Sequence, residues 1–223
     1  MSESSIRRSL VDPASPSSES FRTLRLALQL RSESDGGRSG ILFTSAEPQA
    51  GKSTMAANYA LVSALGGARV LLVDADLRKP AQQEIFGVSR APGLVELLAT
   101  GGDLGSFSQR VRGFDDLYVL PAGREVSRSS DLASSRRMHE LLHEAVGRFD
   151  LVVVDSPPVL VAADAEGLAS HPDIDVVFVV NHTSKRRAVS KALRRLELIE
   201  ARIAGLVLNR EGRPDTYAGA YSY

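Results

Sequence analysis

The residues best suited to chemistry in this 223-residue chain are the run Gly51-Lys52-Ser53-Thr54 and three aspartates, Asp74, Asp76 and Asp155. Each aspartate stands within three residues of the end of an apolar run: Val70-Leu71-Leu72-Val73 precedes Asp74, and Leu151-Val152-Val153-Val154 precedes Asp155. Residues 46–53 fit the phosphate-binding loop pattern, with alanine at the first glycine position. That spacing makes Ala46, Glu47, Pro48, Gln49, Ala50, Gly51, Lys52, Ser53 and Thr54 a cradle whose backbone N–H groups face a nucleotide's phosphates. Gly51 permits close approach, Lys52 reaches the outer phosphates and Ser53 supplies a hydroxyl for Mg2+. The positive end of the following helix dipole points at the same anion.

Two aspartates, Asp74 and Asp76, just beyond an apolar strand are costly without a cation. Asp155, followed by Ser156-Pro157-Pro158, has the setting of a carboxylate that holds Mg2+ beside Ser53, directly or through water. Taken singly, Asp74 and Asp76 could cap helices, and Asp155 could form a turn before the prolines. Together with the loop, they read as one nucleotide and Mg2+ site.

The elements that must position these groups follow from apolar spacing. Strands are expected at 41–44, 69–73, 117–120, 151–154, 175–180 and 205–208. Helices are expected at 54–65 (stopped by Gly66-Gly67), 93–99, 131–147 and 187–201, with a Ser- and Arg-rich loop at 123–130. The 131–147 helix rests on the spacing of Leu132, Met138, Leu141, Leu142 and Ala145. Strands alternating with helices imply an α/β fold, a three-layer sandwich with a mostly parallel central sheet flanked by helices. Ligands of such sheets sit at the carboxyl ends of the strands, where all three aspartates fall.

The N-terminal segment reads differently. Residues 1–18 are Ser-rich without periodicity, a flexible arm. A helix over 19–30 carries Phe21, Leu24 and Leu28 on one stripe and Glu19, Arg22 and Arg25 on another, with Ser17 or Ser18 as its cap. Residues 31–40 form a polar linker. One domain spans 19–210, and a tail at 211–223 carries Tyr217, Tyr221 and Tyr223.

Lys plus Arg equals Asp plus Glu at 27 each, so no overall field favours nucleic acid, and no nucleic-acid partner is expected. The absence of cysteine excludes disulfides and thiolate metal sites and fits a cytoplasmic setting. Asp155 interrupts the longest apolar stretch, residues 151–163, which falls short of the roughly 20 residues of a membrane span.

The ordered set of motifs resembles the bacterial tyrosine kinases of capsule and exopolysaccharide systems. It comprises Glu19-Ser20-Phe21-Arg22-Thr23-Leu24-Arg25, the loop at 46–53, the run at 70–80, the run at 149–160, Asp164-Ala165, the strand ending at Asn209, and the tyrosine tail. The resemblance implies an ATP- and Mg2+-dependent tyrosine autokinase in which Lys52 neutralises phosphate charge and Ser53, Asp76 and Asp155 organise Mg2+. Asp74 would accept the tyrosine proton, though Asp74 and Asp76 could exchange roles, and Asn209 would approach the adenine. It further implies a ring or dimer assembled through Glu19, Arg22 and Arg25, with Tyr217, Tyr221 and Tyr223 as acceptors. A membrane-anchored activator of the polysaccharide co-polymerase type would recruit the chain to the inner face of the plasma membrane, and other protein substrates are possible. The loop departs from the family at Gln49 and Ala50, where glycine and an acidic residue are usual. Two other readings are a partitioning or cell-division ATPase switch, whose signature lysine would fall at Glu47, and a nucleotide-binding regulator with little kinase activity.

One motif points elsewhere. His139-Glu140-Leu141-Leu142-His143 matches the zinc metalloprotease pattern, but the apolar face of its helix places His139, Glu140 and His143 on the wet side. The basic run at 185–187 with Lys191, Arg194 and Arg195 reads as a solvated helix face.

Overall fold

The computed structural model describes residues 12, 15–34, 40–126 and 129–209. In chain order the elements are α1 (Pro16–Ser34), β1 (Gly40–Ser45), α2 (Lys52–Leu65), β2 (Val70–Asp74), α3 (Gln82–Phe86), α4 (Leu94–Thr100), α5 (Leu104–Phe107), β3 (Gln109–Arg110), β4 (Leu117–Leu120), α6 (Ser129–Ala133), α7 (Arg136–Arg148), β5 (Leu151–Asp155), α8 (Asp164–Ala169), β6 (Ile174–Asn181), α9 (Arg186–Leu198) and β7 (Ile203–Asn209). The strands form a single 7-stranded sheet in the order β3-β4-β2-β5-β1-β6-β7. All neighbours are parallel except the edge pair β3–β4.

The expected three layers are present. Strands β1, β2 and β5 are near-continuous apolar runs because both sheet faces are covered. On one face Phe21 and Leu28 of α1, Tyr59 and Leu61 of α2, and Phe86 of α3 pack on Phe43, Leu72, Val153 and Val177. On the other, Leu94, Met138, Leu142, Leu168 and Leu196 cover Leu42, Leu71, Val154 and Phe178. Each fully buried Leu or Phe contributes roughly 1.5–3 kcal/mol, so the central strands are rigid supports for whatever their ends carry.

The boundaries differ from the sequence expectation in places. Helix α1 starts at Pro16, with Ser15 rather than Ser17 or Ser18 as its cap: the Ser15 hydroxyl oxygen accepts from the Ser18 N–H at 3.3 Å. Proline at the first helical position needs no N–H partner and is preset for the helix. The helix also runs through Ser34, into the expected linker; residues 1–11, 13 and 14 of the arm and the tail lie outside the described residues. The single helix expected at 131–147 is two, because Ser135 caps α7 by accepting from the Met138 N–H at 3.1 Å while its own hydroxyl donates to the Leu132 carbonyl at 2.7 Å. Helix α6 begins at Ser129, inside the expected loop. Spacing alone could not see α3, α5 or α8, each six residues or shorter.

Candidate active site

The strand order brings the motifs together. Parallel pairing of β2 with β5 makes Asp74 and Asp155 register partners, and β5 also pairs with β1, which feeds the phosphate-binding loop. The Ala75 N–H donates to the Asp155 carbonyl at 2.8 Å, carrying the alignment one residue past the strand. Beyond β5, the Ser156 hydroxyl donates to the Phe43 carbonyl (3.1 Å) and the Thr44 hydroxyl to the Pro157 carbonyl (3.0 Å), which stitches the proline segment to the end of β1.

Five of the loop's carbonyls are occupied within the chain. Ala46 O accepts from the Leu160 N–H (3.2 Å), Glu47 O from the Ser45 hydroxyl (2.8 Å) and Gly51 O from the Met55 N–H (2.9 Å). Two asparagines at strand ends hold the next pair: Asn181 Nδ2 donates to Gln49 O and Asn209 Nδ2 to Ala50 O, each at 3.1 Å. With those five carbonyls engaged, the loop's remaining backbone polarity is chiefly N–H, the polarity an anion requires. Gly51 has φ +88° and sits so close to the Asn209 amide that a Cβ there would overlap it. Gln49 also takes a left-handed φ, +66°, a conformation that glycine adopts freely. A non-glycine residue there carries about 1–2 kcal/mol of backbone strain.

Lys52 lies among the carboxylates. Its Nζ is 2.8 Å from Asp76 Oδ2, 3.9 Å from Asp155 Oδ1 and 3.4 Å from Ser53 Oγ. Asp74 and Asp155 are fully buried and Asp76 nearly so. Asp74 Oδ2 accepts from the N–H groups of Ala81 and Gln82, both at 2.9 Å, and Asp76 Oδ1 from that of Lys79 at 3.1 Å. Burial, with the Asp155 charge beside it, holds the Asp74 carboxyl well above the usual carboxylate range. Asp155 is also raised by burial, with Lys52 and Gln82 opposing. Burial works against the Lys52 ammonium, but Asp155, Asp76 and Asp74 outweigh it and raise its pKa.

Three oxygens in this network, Asp74 Oδ1, Asp155 Oδ1 and Gln82 Oε1, are buried without a hydrogen-bond partner. Buried acceptors of this kind are rare in finished structure and mark where a ligand or ordered water belongs. Among the described residues no three His, Cys, Asp or Glu side chains close into a ready-made metal cage. Mg2+ uses one or two carboxylates plus phosphate oxygens and water, and the hard oxygens of Ser53, Asp76 and Asp155 are of the right kind for it.

Of the other expected residues, Glu19 and Arg22 pair with each other at 2.8 Å on the exposed face of α1. Arg25 folds back against the end of α2, where a Cβ on Gly66 would overlap its guanidinium. Tyr217, Tyr221 and Tyr223 lie outside the described residues. His143 pairs with Asp173 (2.9 Å), but His139 is half-buried rather than wet, its ring 5.1 Å from that of buried His171. Sequence reasoning missed Gln82 and Asn181. Asn181 is a polar residue at the end of an expected strand, a position that could have drawn notice, whereas Gln82 had no such signal.

Residues 42–204 match the family model described as an AAA domain. The chain is 35% identical over 202 residues to the tyrosine-protein kinase YwqD of Bacillus subtilis, covering 90% of this chain and 84% of that protein. The chain belongs to the bacterial tyrosine kinase family. It is also 36% identical to the putative tyrosine-protein kinase EpsB of Ralstonia solanacearum over 94% of its own length, but spans only 28% of that longer relative. The solved kinase domain of the Escherichia coli tyrosine kinase ETK superposes with a TM-score of 0.83 at 30% identity, covering 95% of this chain and 82% of that one. The septum site-determining protein MinD of Pyrococcus horikoshii, complexed with Mg-ADP, shares the fold at a TM-score of 0.65 and 26% identity, over 79% of this chain and 72% of that one.

Proposed function

We propose that this bacterial tyrosine kinase family member transfers the γ-phosphoryl group of ATP to tyrosines of its own tail, and that it regulates capsule or exopolysaccharide synthesis or export. The observation that carries the reading is the convergence of Lys52, Asp74, Asp76 and Asp155 around three unpartnered buried oxygens beside a phosphate-binding loop. Ser53, Asp76 and Asp155 would hold Mg2+, which supplies charge neutralisation for the phosphates. Lys52 exchanges Asp76 for the outer phosphates as nucleotide enters. The acceptor tyrosine Oη forms the new P–O bond as the bond to the ADP oxygen breaks, and its proton passes to Asp74. Asp74 has one oxygen fixed by two N–H groups and the other free, and burial strengthens it as a base. Most of the acceleration comes from positioning and charge neutralisation.

The acceptor assignment to Tyr217, Tyr221 and Tyr223 gains support from elimination. The chain has 5 tyrosines. Tyr59 is buried against Phe43, with burial pushing its phenol up to about 12, and the Tyr118 ring contacts the Arg69 guanidinium and the edge-on Phe149 ring. Burial withdraws Tyr59 from the surface, and the Tyr118 ring is engaged by its neighbours. Self-association would use Glu19 and Arg22 of α1, with Arg25 leaving its seat on Gly66, and would bring one subunit's tail to its neighbour's site as a ring or dimer. A membrane-anchored activator of the polysaccharide co-polymerase type would recruit the chain to the cytoplasmic face of the membrane; no described helix is long and apolar enough to cross one. The cell-division ATPase reading is weaker because position 47 is an exposed glutamate rather than the signature lysine.

The deciding experiment incubates Lys52→Met with ATP and Mg2+. A fall of at least about a hundredfold in phosphotyrosine is expected, the scale of losing one charge-stabilising group. Wild-type phosphotyrosine in a folded Lys52→Met protein would end the kinase assignment.

A further inference from the structure

Gln82 opens the short helix α3, six residues beyond Asp76, and its side chain is fully buried. Its main-chain N–H donates to Asp74 Oδ2, and its carboxamide nitrogen donates to the Ser53 carbonyl (3.1 Å) and to Asp155 Oδ2 (2.8 Å). One residue thus joins the phosphate-binding helix, the Asp74 strand and the Asp155 strand. Both carboxamide contacts are to acceptors, so the nitrogen must face them, and Oε1 must point the other way. There it is buried without a donor.

We propose that Gln82 is a positioning residue for Mg2+ at this site, an inference that rests on the nucleotide and Mg2+ reading above. By occupying Asp155 Oδ2 it leaves Oδ1 as the carboxylate oxygen facing Lys52, and so selects which oxygen is offered to the cation. By holding the Ser53 carbonyl it ties the start of α2 to the same carboxylate, which keeps the Ser53 hydroxyl and Asp155 in one frame. Its unpartnered Oε1 adds an acceptor that a metal-bound water can fill, as outer-shell partners of metal ligands do. A residue that merely filled space here needs neither the two donated bonds nor the polar atom left over.

The test measures binding of a fluorescent ADP analogue to the full chain during a Mg2+ titration, in wild type, Gln82→Met, Asp155→Asn and the double variant. Gln82→Met keeps the length and loses the donor. Its Mg2+ midpoint is expected to rise about tenfold or more, the usual scale for an outer-shell partner, while ADP affinity without Mg2+ stays within about twofold of wild type. In the Asp155→Asn background the same substitution is expected to do little, because the two act through one contact. An unchanged Mg2+ midpoint in folded Gln82→Met would overturn the assignment, as would equal losses with and without Mg2+, the mark of a purely structural role. Should Gln82→Met fail to fold, Gln82→Asn retains the amide but is one methylene too short to reach both acceptors, and the same shift is expected. Wild-type protein whose ADP affinity ignores Mg2+ would overturn the underlying site reading and this assignment with it, whereas a Mg2+-responsive wild type beside an unresponsive Gln82 series overturns the assignment alone.

Discussion

The carboxylate site beyond β2 and β5 and the histidine group between α7 and β6 both gather ionisable side chains, but they end in opposite states of satisfaction. In the histidine group the ring polar atoms of His171 are accounted for. His171 Nε2 donates to the His139 carbonyl (3.0 Å), so its Nδ1 is the acceptor for the Asp173 N–H (3.2 Å). That pair of contacts fixes the neutral tautomer. Burial, the largest cause, lowers the His171 pKa to match. In the carboxylate site, three buried oxygens have no hydrogen-bond partner and a lysine stands in as the cation. Satisfied polar groups complete a fold; unsatisfied ones, held in place by a rigid sheet, leave work for a ligand.

The largest expected contrast is in ligand response. Mg2+ with ADP at 100 times its dissociation constant should stabilise wild type by about 2.7 kcal/mol, read as a rise in melting temperature, and Asp155→Asn should lose the Mg2+-dependent share. Zn2+ should leave the melting temperature unmoved, since among the described residues no three His, Cys, Asp or Glu side chains are grouped so as to hold a metal ion. A zinc-induced rise abolished by His143→Gln would break the comparison.

Next in size are pH effects of opposite sign. The folded pKa of Asp74 is raised above its ordinary 3.8, so the folded state holds its proton longer, and apo stability should decline as pH climbs from about 4 through the folded value. His171 is depressed below 6.5, so the unfolded state binds the proton first, and its contribution should be intact above about 6.5 and lost as pH falls below it. Denaturant titrations across pH should show Asp74→Asn flattening the first slope and His171→Gln the second. Unaltered slopes in either variant would detach that residue from the linkage.

The smallest effect concerns the loop's own strain. Gln49→Gly should raise stability by up to about 1 kcal/mol, because glycine adopts the left-handed φ freely, though its greater unfolded-state freedom offsets part of the gain. A destabilised Gln49→Gly protein would show that the Gln49 side chain contributes more than its backbone conformation takes away.

Much of this was legible in residue order. The strands expected at 41–44 and 151–154 are β1 and β5 to within a residue or two at their ends, because parallel strands buried on both faces must be apolar throughout. Phe21 and Leu28 are the buried stripe of α1 that their spacing implies. Helices α3 and α8 escaped because one or two turns give too few residues for a period to show. Ser135 split a helix whose apolar spacing runs straight across the break. His139 left the wet side because a partner arrived from the loop before β6, which periodicity within α7 cannot report.

What the sequence by itself determined is local: a phosphate-binding loop between a strand and a helix, aspartates at strand ends, and an alternation that commits the chain to a parallel sheet, all set by backbone geometry and apolar period over a few residues. Only the tertiary structure decided which strand ends meet. The pairing of β2 with β5 sets Asp74 against Asp155, the folding back of α3 inserts Gln82 between them, and the ends of β6 and β7 deliver Asn181 and Asn209 to the loop. Those contacts join residues 73 to 159 positions apart in the chain. They depend on strand order, which is chosen by the packing of whole elements against one another and is not encoded by local spacing.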